Sequence, residues 1–212
     1  MQKIAIIDYN MGNLHSVQRA VQHTAPDNAE VKITADADFI RHADRVIFPG
    51  QGAARDCMRE LQVLGLDEVV REVIKSKPFL GICMGMQVLM EHSEENGGIH
   101  CMGYYPGEVR YFGNIEQSAE ERIKIPQMGW NQIWHKGDHP LWQGIADGSR
   151  FYFVHSYYVD PQDKSIISGE TGYGVRYASA IAKDNVFAIQ AHPEKSADDG
   201  LQLLANFMSW NP

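Results

Sequence analysis

The sequence lacks paired cysteines, a long apolar run and an excess of positive charge, and each absence removes a class of function. Its three cysteines, Cys57, Cys83 and Cys101, are an odd number without CxxC spacing, so neither a disulfide framework nor a zinc knuckle is expected. Such cysteine usage suits a reducing cytoplasm. Nothing approaches the roughly 20 consecutive apolar residues of a membrane span. The opening MQKIAIIDYN has too short an apolar run for a secretory signal and is expected to begin a core strand. A net charge of -8 and a pI near 5.5 argue against a general binder of nucleic acid or anionic membrane, while leaving room for a local basic patch. The nine histidines form no HExxH or other helical ligand pair, so no metal or other cofactor is expected.

What is present suffices for a sizeable core. Of 212 residues 44% are hydrophobic, and no repeat, low-complexity tract or linker divides them, so a single domain over 1–212 is expected. Lys3 to Asp8 (KIAIID), Glu30 to Thr34, Arg45 to Phe48 and Phe79 to Ile82 read as strands, the first nearly continuous in β-branched residues, as a strand buried on both faces requires. Helical patterns lie between and after them: Leu14, Val17 and Val21 on one face, then about Ala53 to Leu61, Leu66 to Ser76 and Met86 to Glu91. Alternating β and α implies an α/β fold with a parallel sheet and right-handed crossovers.

The second half is β-rich. From Gly97 to about Asn185 it is full of Gly, Tyr and Trp, with strands expected at Glu108 to Phe112 and Phe151 to Val154. A hairpin is expected over Ala178 to Lys183 and Val186 to Gln190, and a last helix over Asp198 to Met208.

Three short stretches bear on chemistry. PFLGICMGMQ (78–87) leads an apolar run into a cysteine flanked two positions away on each side by glycine, the pattern of a nucleophile elbow, in which a strained turn projects Cys83 at the start of a helix. A lone GxCxG marks a buried cysteine beside a tight turn equally well. PGQGA (49–53) follows a strand with two glycines around Gln51 and is either a turn or half of an oxyanion hole, its amides open to a ligand. QAHPEKS (190–196) ends a strand with His192 and, two residues on, Glu194, either a turn or a histidine steadied by a carboxylate. Together they form a Cys, His, Glu set.

GICMGMQ, PGQGA and HPEKS resemble the three signatures of class I, triad-type glutamine amidotransferases. DYNMGNLHSV from Asp8, IPQMGWN from Ile125 and YFVHSY from Tyr152 are similar to the glutaminase subunits of imidazole glycerol phosphate synthases. The resemblance spans nearly the whole chain. It implies a doubly wound, mostly parallel sheet flanked by helices, hydrolysis of L-glutamine, and a heterodimer with a (βα)8 cyclase subunit that uses the released ammonia.

By the same resemblance Cys83 is the nucleophile, His192 the base and Glu194 its support. Backbone donors from Met84 and from Gln51 and Gly52 stabilise the oxyanion, and Gly50, Gly52, Gln87, His155, Ser156 and Tyr157 line the glutamine site. Asn13, Trp130, Tyr152 and Lys195 face the cyclase, with Trp130 equally able to cap the core. The chain departs from the family pattern at Asn10, Gln51, Gln127 and Ala191, none of them a triad position. A class I glutaminase serving anthranilate or pyridoxal phosphate synthesis and a catalytically silent interaction homologue are the alternatives. The MGWN and FVHSY segments argue against the first, the intact triad against the second.

Overall fold

The computed structural model describes residues 1–116 and 122–212. Its first part runs β1 (Lys3–Ile7), α1 (Leu14–Thr24), β2 (Glu30–Thr34), α2 (Ala37–His42), β3 (Arg45–Gly50), α3 (Ala54–Val63), α4 (Leu66–Val73), β4 (Phe79–Cys83) and α5 (Met84–Gln87). There follow β5 (Met90–Ser93), β6 (Ile99–His100), β7 (Tyr105–Tyr111), β8 (Gln127–Gln132), β9 (Trp134–His135) and β10 (Arg150–His155). The chain ends with β11 (Tyr157–Pro161), β12 (Ile167–Tyr173), β13 (Val175–Lys183), β14 (Val186–Ile189) and α6 (Ala197–Ser209).

One large sheet has the order β2-β1-β3-β4-β14-β13-β11-β7-β5-β6, with β12 and β9 branching from β13; β8 and β10 make a separate antiparallel pair. The five strands from β2 to β14 are parallel, and beyond β14 every pairing except β5 with β7 is antiparallel. The sheet is therefore mixed, with helices on both faces of its parallel part.

Side chains alternate across that part with the period of 2 that a strand imposes. Ala5, Ile7, Val46, Phe48 and Phe79 pack on one face with the apolar sides of α2, α3 and α4. Ile4, Ile6, Ile47, Leu80 and Ile82 pack on the other with α1 and α6. Burying each of the larger side chains, all but Ala5, stabilises the fold by about 1.5–3 kcal/mol. Short caps set local boundaries: Asp36 accepts from the amides of Asp38 and Phe39 to start α2, and Asn10 takes the left-handed conformation (φ 63°) with its amide bonded to Asp8.

One expectation is corrected. The helix after Cys83 does not run through Glu91: it is a single turn, and Met90 already belongs to β5. Val88, Leu89 and Met90 are fully buried, so the apolar run carries no helical face, and parallel pairing with β7 outweighs helix propensity. Among the described residues no helix is long and apolar enough to cross a membrane.

Candidate active site

Cys83 ends β4 with φ 54° and ψ -107°, a conformation that L-residues rarely adopt and that costs about 1–3 kcal/mol. Its neighbours explain why the turn survives. A Cβ on Gly85 would lie 1.8 Å from the Phe48 carbonyl oxygen, and one on Gly81 would lie 3.0 Å from both Ala188 Cβ and the Gly85 carbonyl oxygen. The flanking glycines let β3 and β14 close on the turn. Because α5 is only one turn long, its dipole contributes little, and the positive charge near Cys83 comes from a side chain.

That side chain is His192. Parallel pairing of β14 with β4, Ile189 opposite Ile82, brings the residues after β14 to the same sheet end as Cys83. The His192 amide donates to the Tyr152 carbonyl, and the Tyr152 amide donates to Ser196 Oγ at 3.0 Å, so the segment is clamped to β10. His192 Nδ1 lies 2.8 Å from Glu194 Oε1, with both side chains almost wholly buried. Burial works against the imidazolium, but the negative charge of Cys83, and then the hydrogen bond and charge of Glu194, outweigh it and raise the His192 pKa to about 10, while Nε2 has no hydrogen-bond partner among the described residues. The ring is therefore set up as a cation beside the sulfur.

The loop after β3 passes alongside. Tyr9 Oη donates to the Pro49 carbonyl at 2.9 Å, and Cys57 Sγ donates to the Gln51 carbonyl at 3.6 Å. A trans peptide points its N–H opposite its carbonyl, so the Gly52 amide is turned away from Cys57. Gly50 carries no side chain because a Cβ there would sit 2.0 Å from Tyr9 Oη. Burial raises the Cys57 thiol to about 12 and holds the Tyr9 hydroxyl well above its ordinary value, so both remain neutral donors; Cys101 is likewise raised to about 12 by burial.

A pocket of about 440 Å³ opens over the sulfur, and most of the expected residues meet there. Gln51, Gly52, Cys83, Met84, Gln87, His155, Ser156, Tyr157, His192 and Lys195 all line it. Gly50 does not; it lies behind the loop, with Gln51, Asn13, His192 and Glu194, around a much smaller cavity. His155 is a wall. Its Nδ1 donates to the Tyr157 carbonyl at 2.7 Å, its Nε2 meets Tyr177 Oη at 3.2 Å, and burial lowers its pKa to about 4, so it stays neutral. The buried Gln87 Oε1 has no partner in the protein.

Comparison with known proteins gives this geometry a family. Residues 5–210 match the model of the glutamine amidotransferase class-I family. The chain belongs to that family. An imidazole glycerol phosphate synthase subunit HisH from Pseudomonas putida is 54% identical over 211 residues, covering 100% of this chain and 99% of the relative. A subunit of the same name from Hydrogenovibrio crunogenus is 54% identical, covering 98% and 96%. Among solved structures, a chain of PurLQS from Thermotoga maritima superposes with a TM-score of 0.69 at 15% identity, covering 98% of each chain; at that identity the likeness shows the fold alone.

In this amidotransferase a surface patch adjoins the pocket. Trp130 is 49% exposed and packs edge-on to Tyr152 across the β8 and β10 pair, and Lys195 Nζ lies 6.0 Å over the Tyr152 ring. Asn13, also exposed, sits on the other cavity beside His192 and Glu194.

Three residues in or beside the pocket escaped the motif reading. Glu95 lines the pocket and caps α3 by accepting from the Ala54 amide at 2.6 Å, with burial raising its pKa; in sequence it sits in EENGG, indistinguishable from a solvated turn. Gln190 touches Cys83, and its signal was legible: one polar residue inside the apolar run VFAIQA. Tyr177 reaches His155 only through tertiary pairing.

Proposed function

We propose that the chain hydrolyses L-glutamine to glutamate and ammonia as the glutaminase subunit of an imidazole glycerol phosphate synthase in histidine biosynthesis. It acts in the cytoplasm as one domain spanning 1–212, in a heterodimer with a (βα)8 cyclase subunit. The cyclase takes the ammonia and makes imidazole glycerol phosphate and AICAR. The observation that carries the reading is the strained Cys83 beside the buried His192–Glu194 pair, at the floor of a pocket of about 440 Å³ that has room for glutamine. The full-length likeness to the HisH subunits supports the choice of pathway and partner.

The Cys83 thiolate attacks the side-chain amide carbon of glutamine. The negative oxygen that forms meets the Met84 amide and an amide of the Gln51–Gly52 loop, with Gly50 keeping that loop against Tyr9. The His192 imidazolium gives its proton to the departing nitrogen, ammonia leaves and a glutamyl thioester remains. Neutral His192 then takes a proton from water, hydroxide adds to the thioester, and glutamate departs as the thiolate re-forms. Glu194 holds the ring orientation and stabilises its cationic form. Glu95 presents an acceptor for the substrate ammonium and Gln87 lies at the substrate's amino-acid end, while His155, Ser156 and Tyr157 close the wall. Asn13, Trp130, Tyr152 and Lys195 form the face toward the cyclase, with Trp130 as an aromatic anchor.

The test is glutamate and ammonia release from L-glutamine with the cyclase and its nucleotide ligand present. Cys83→Ala is expected to lower the rate at least about 10³-fold with the fold and cyclase binding retained. Turnover near the native rate in that variant sinks the assignment.

A further inference from the structure

We propose that Gln190 donates a hydrogen bond to the sulfur of Cys83 through an amide chain whose direction is fixed by the Tyr157 carbonyl, and that this chain holds the nucleophile in place and favours a thiolate there over a thiol. The inference rests on reading Cys83 as the nucleophile. Gln190 Nε2 lies 3.5 Å from Cys83 Sγ, and Gln190 Oε1 accepts from Gln87 Nε2 at 2.9 Å. Gln87 Nε2 also donates to the Tyr157 carbonyl at 3.1 Å. A backbone carbonyl only accepts, so Gln87 must turn its NH2 toward Tyr157. The second hydrogen of that NH2 then needs an acceptor, which obliges Gln190 to present its oxygen to Gln87 and its own NH2 to the sulfur. Gln87 is 2% exposed and Gln190 0%, so water does not compete for these groups.

An N–H donor to sulfur is weak when the sulfur is a neutral thiol and gains strength when it is a thiolate. His192 gains and loses a proton in each cycle, whereas the Gln190 amide titrates with nothing and supports the sulfur throughout. The titratable groups around Cys83 are His192 with Glu194 behind it, Tyr9 and Cys57 beyond the loop, and Glu95, His155, Tyr157 and Lys195 on the pocket wall. None of them is changed in the variants that test the chain.

The experiment is the rate of Cys83 alkylation by iodoacetamide as a function of pH in the full chain, followed on the Cys83 peptide by mass spectrometry. Gln190→Met, which keeps the length and removes the donor, is expected to move the midpoint upward by about half a unit to one unit. The rate well below the midpoint then falls about three- to tenfold while the high-pH plateau stays. Gln87→Met is expected to shift it less in the same direction, because Gln190 then loses the donor that orients it. The double variant should shift no further than Gln190→Met alone. An unmoved profile, a uniform fall at every pH, or additive shifts in the double variant each overturn the proposal. If Gln190→Met does not fold by circular dichroism, Gln87→Met decides: no shift overturns it. A Gln190-dependent profile without glutamine turnover in the presence of the cyclase defeats the glutaminase reading alone. Turnover with an unmoved profile defeats this inference alone.

Discussion

On one side of β14 the chain pairs parallel with β4, and β1, β3 and β4 are buried on both faces; on the other it pairs antiparallel with β13, and β10 alternates buried Phe151, Phe153 and His155 with partly exposed residues. The two regions contribute different things to the site. The parallel region supplies backbone geometry: the strained Cys83 turn and the loop around Gln51, both at carboxyl ends of strands, where open α/β sheets place their ligands. The antiparallel region supplies side chains and a face, with Tyr157, His155, Trp130 and Tyr152 brought in by pairings between distant segments. β14 belongs to both, and His192 and Glu194 extend from it. The difference teaches that here the Cys83 turn depends on close backbone approach, and its surroundings on side-chain chemistry.

Four changes break or sharpen that contrast. The largest expected effect is Gly85→Ala, which sets a methyl group 1.8 Å from the Phe48 carbonyl. Chemical denaturation should show a loss of about 4 kcal/mol or more, or failure to fold; a variant of near-native stability means that the elbow tolerates what this packing forbids. Glu194→Gln, at the junction, keeps the shape and removes the charge behind His192. It is expected to reduce glutamine turnover about 10²-fold, with KM little changed. A change confined to KM contradicts the role of Glu194.

The third concerns pH. His155 has its folded pKa lowered to about 4, against about 6.5 unfolded, because burial disfavours its charged form. Between those values the unfolded chain binds the extra proton, so His155 stabilises the fold above about pH 6.5 and loses that contribution as pH falls toward 4. His192, with its pKa raised to about 10, is protonated in both states below about pH 5.5 and adds no slope there; above that the unfolded histidine loses its proton first, and the His192 contribution falls as pH rises. Replacing His155 by Gln should flatten the acid limb of a stability-against-pH curve by about 2–3 kcal/mol, and an unchanged limb refutes the assignment. The smallest effect is expected for Gly172→Ala on β12, where an added Cβ meets nothing within 4 Å. Stability should change by less than about 0.5 kcal/mol. A large loss there erases the contrast with Gly85.

Much of the parallel region was legible because its determinants are local. KIAIID, RVIF and FLGIC are apolar on both faces, and only such strands fit between two helical layers. The hairpin at Asp184 and Asn185 was equally plain, with Asp184 at φ 52°. The turn after Cys83 was misread past Gln87, since an apolar run buried on all sides has no period to separate helix from strand. The pocket wall of His155, Ser156 and Tyr157 was legible only as resemblance. Nothing local in EENGG or VRYAS says that Glu95 lines a pocket or that Tyr177 reaches His155.

By itself the sequence determined the chemistry on offer and the turns that hold it: a cysteine between glycines, a histidine two residues before a glutamate, and a loop of two glycines around Gln51. Those depend on contacts within a few residues and on steric rules that every chain obeys. Only the tertiary structure decided that Cys83 and His192 share one sheet end, that Tyr9 and Cys57 hold the loop carbonyls, and that Gln190 reaches the sulfur. Each joins segments far apart in the chain, and such pairings form only when burial of the two cores outweighs the entropy of bringing the segments together.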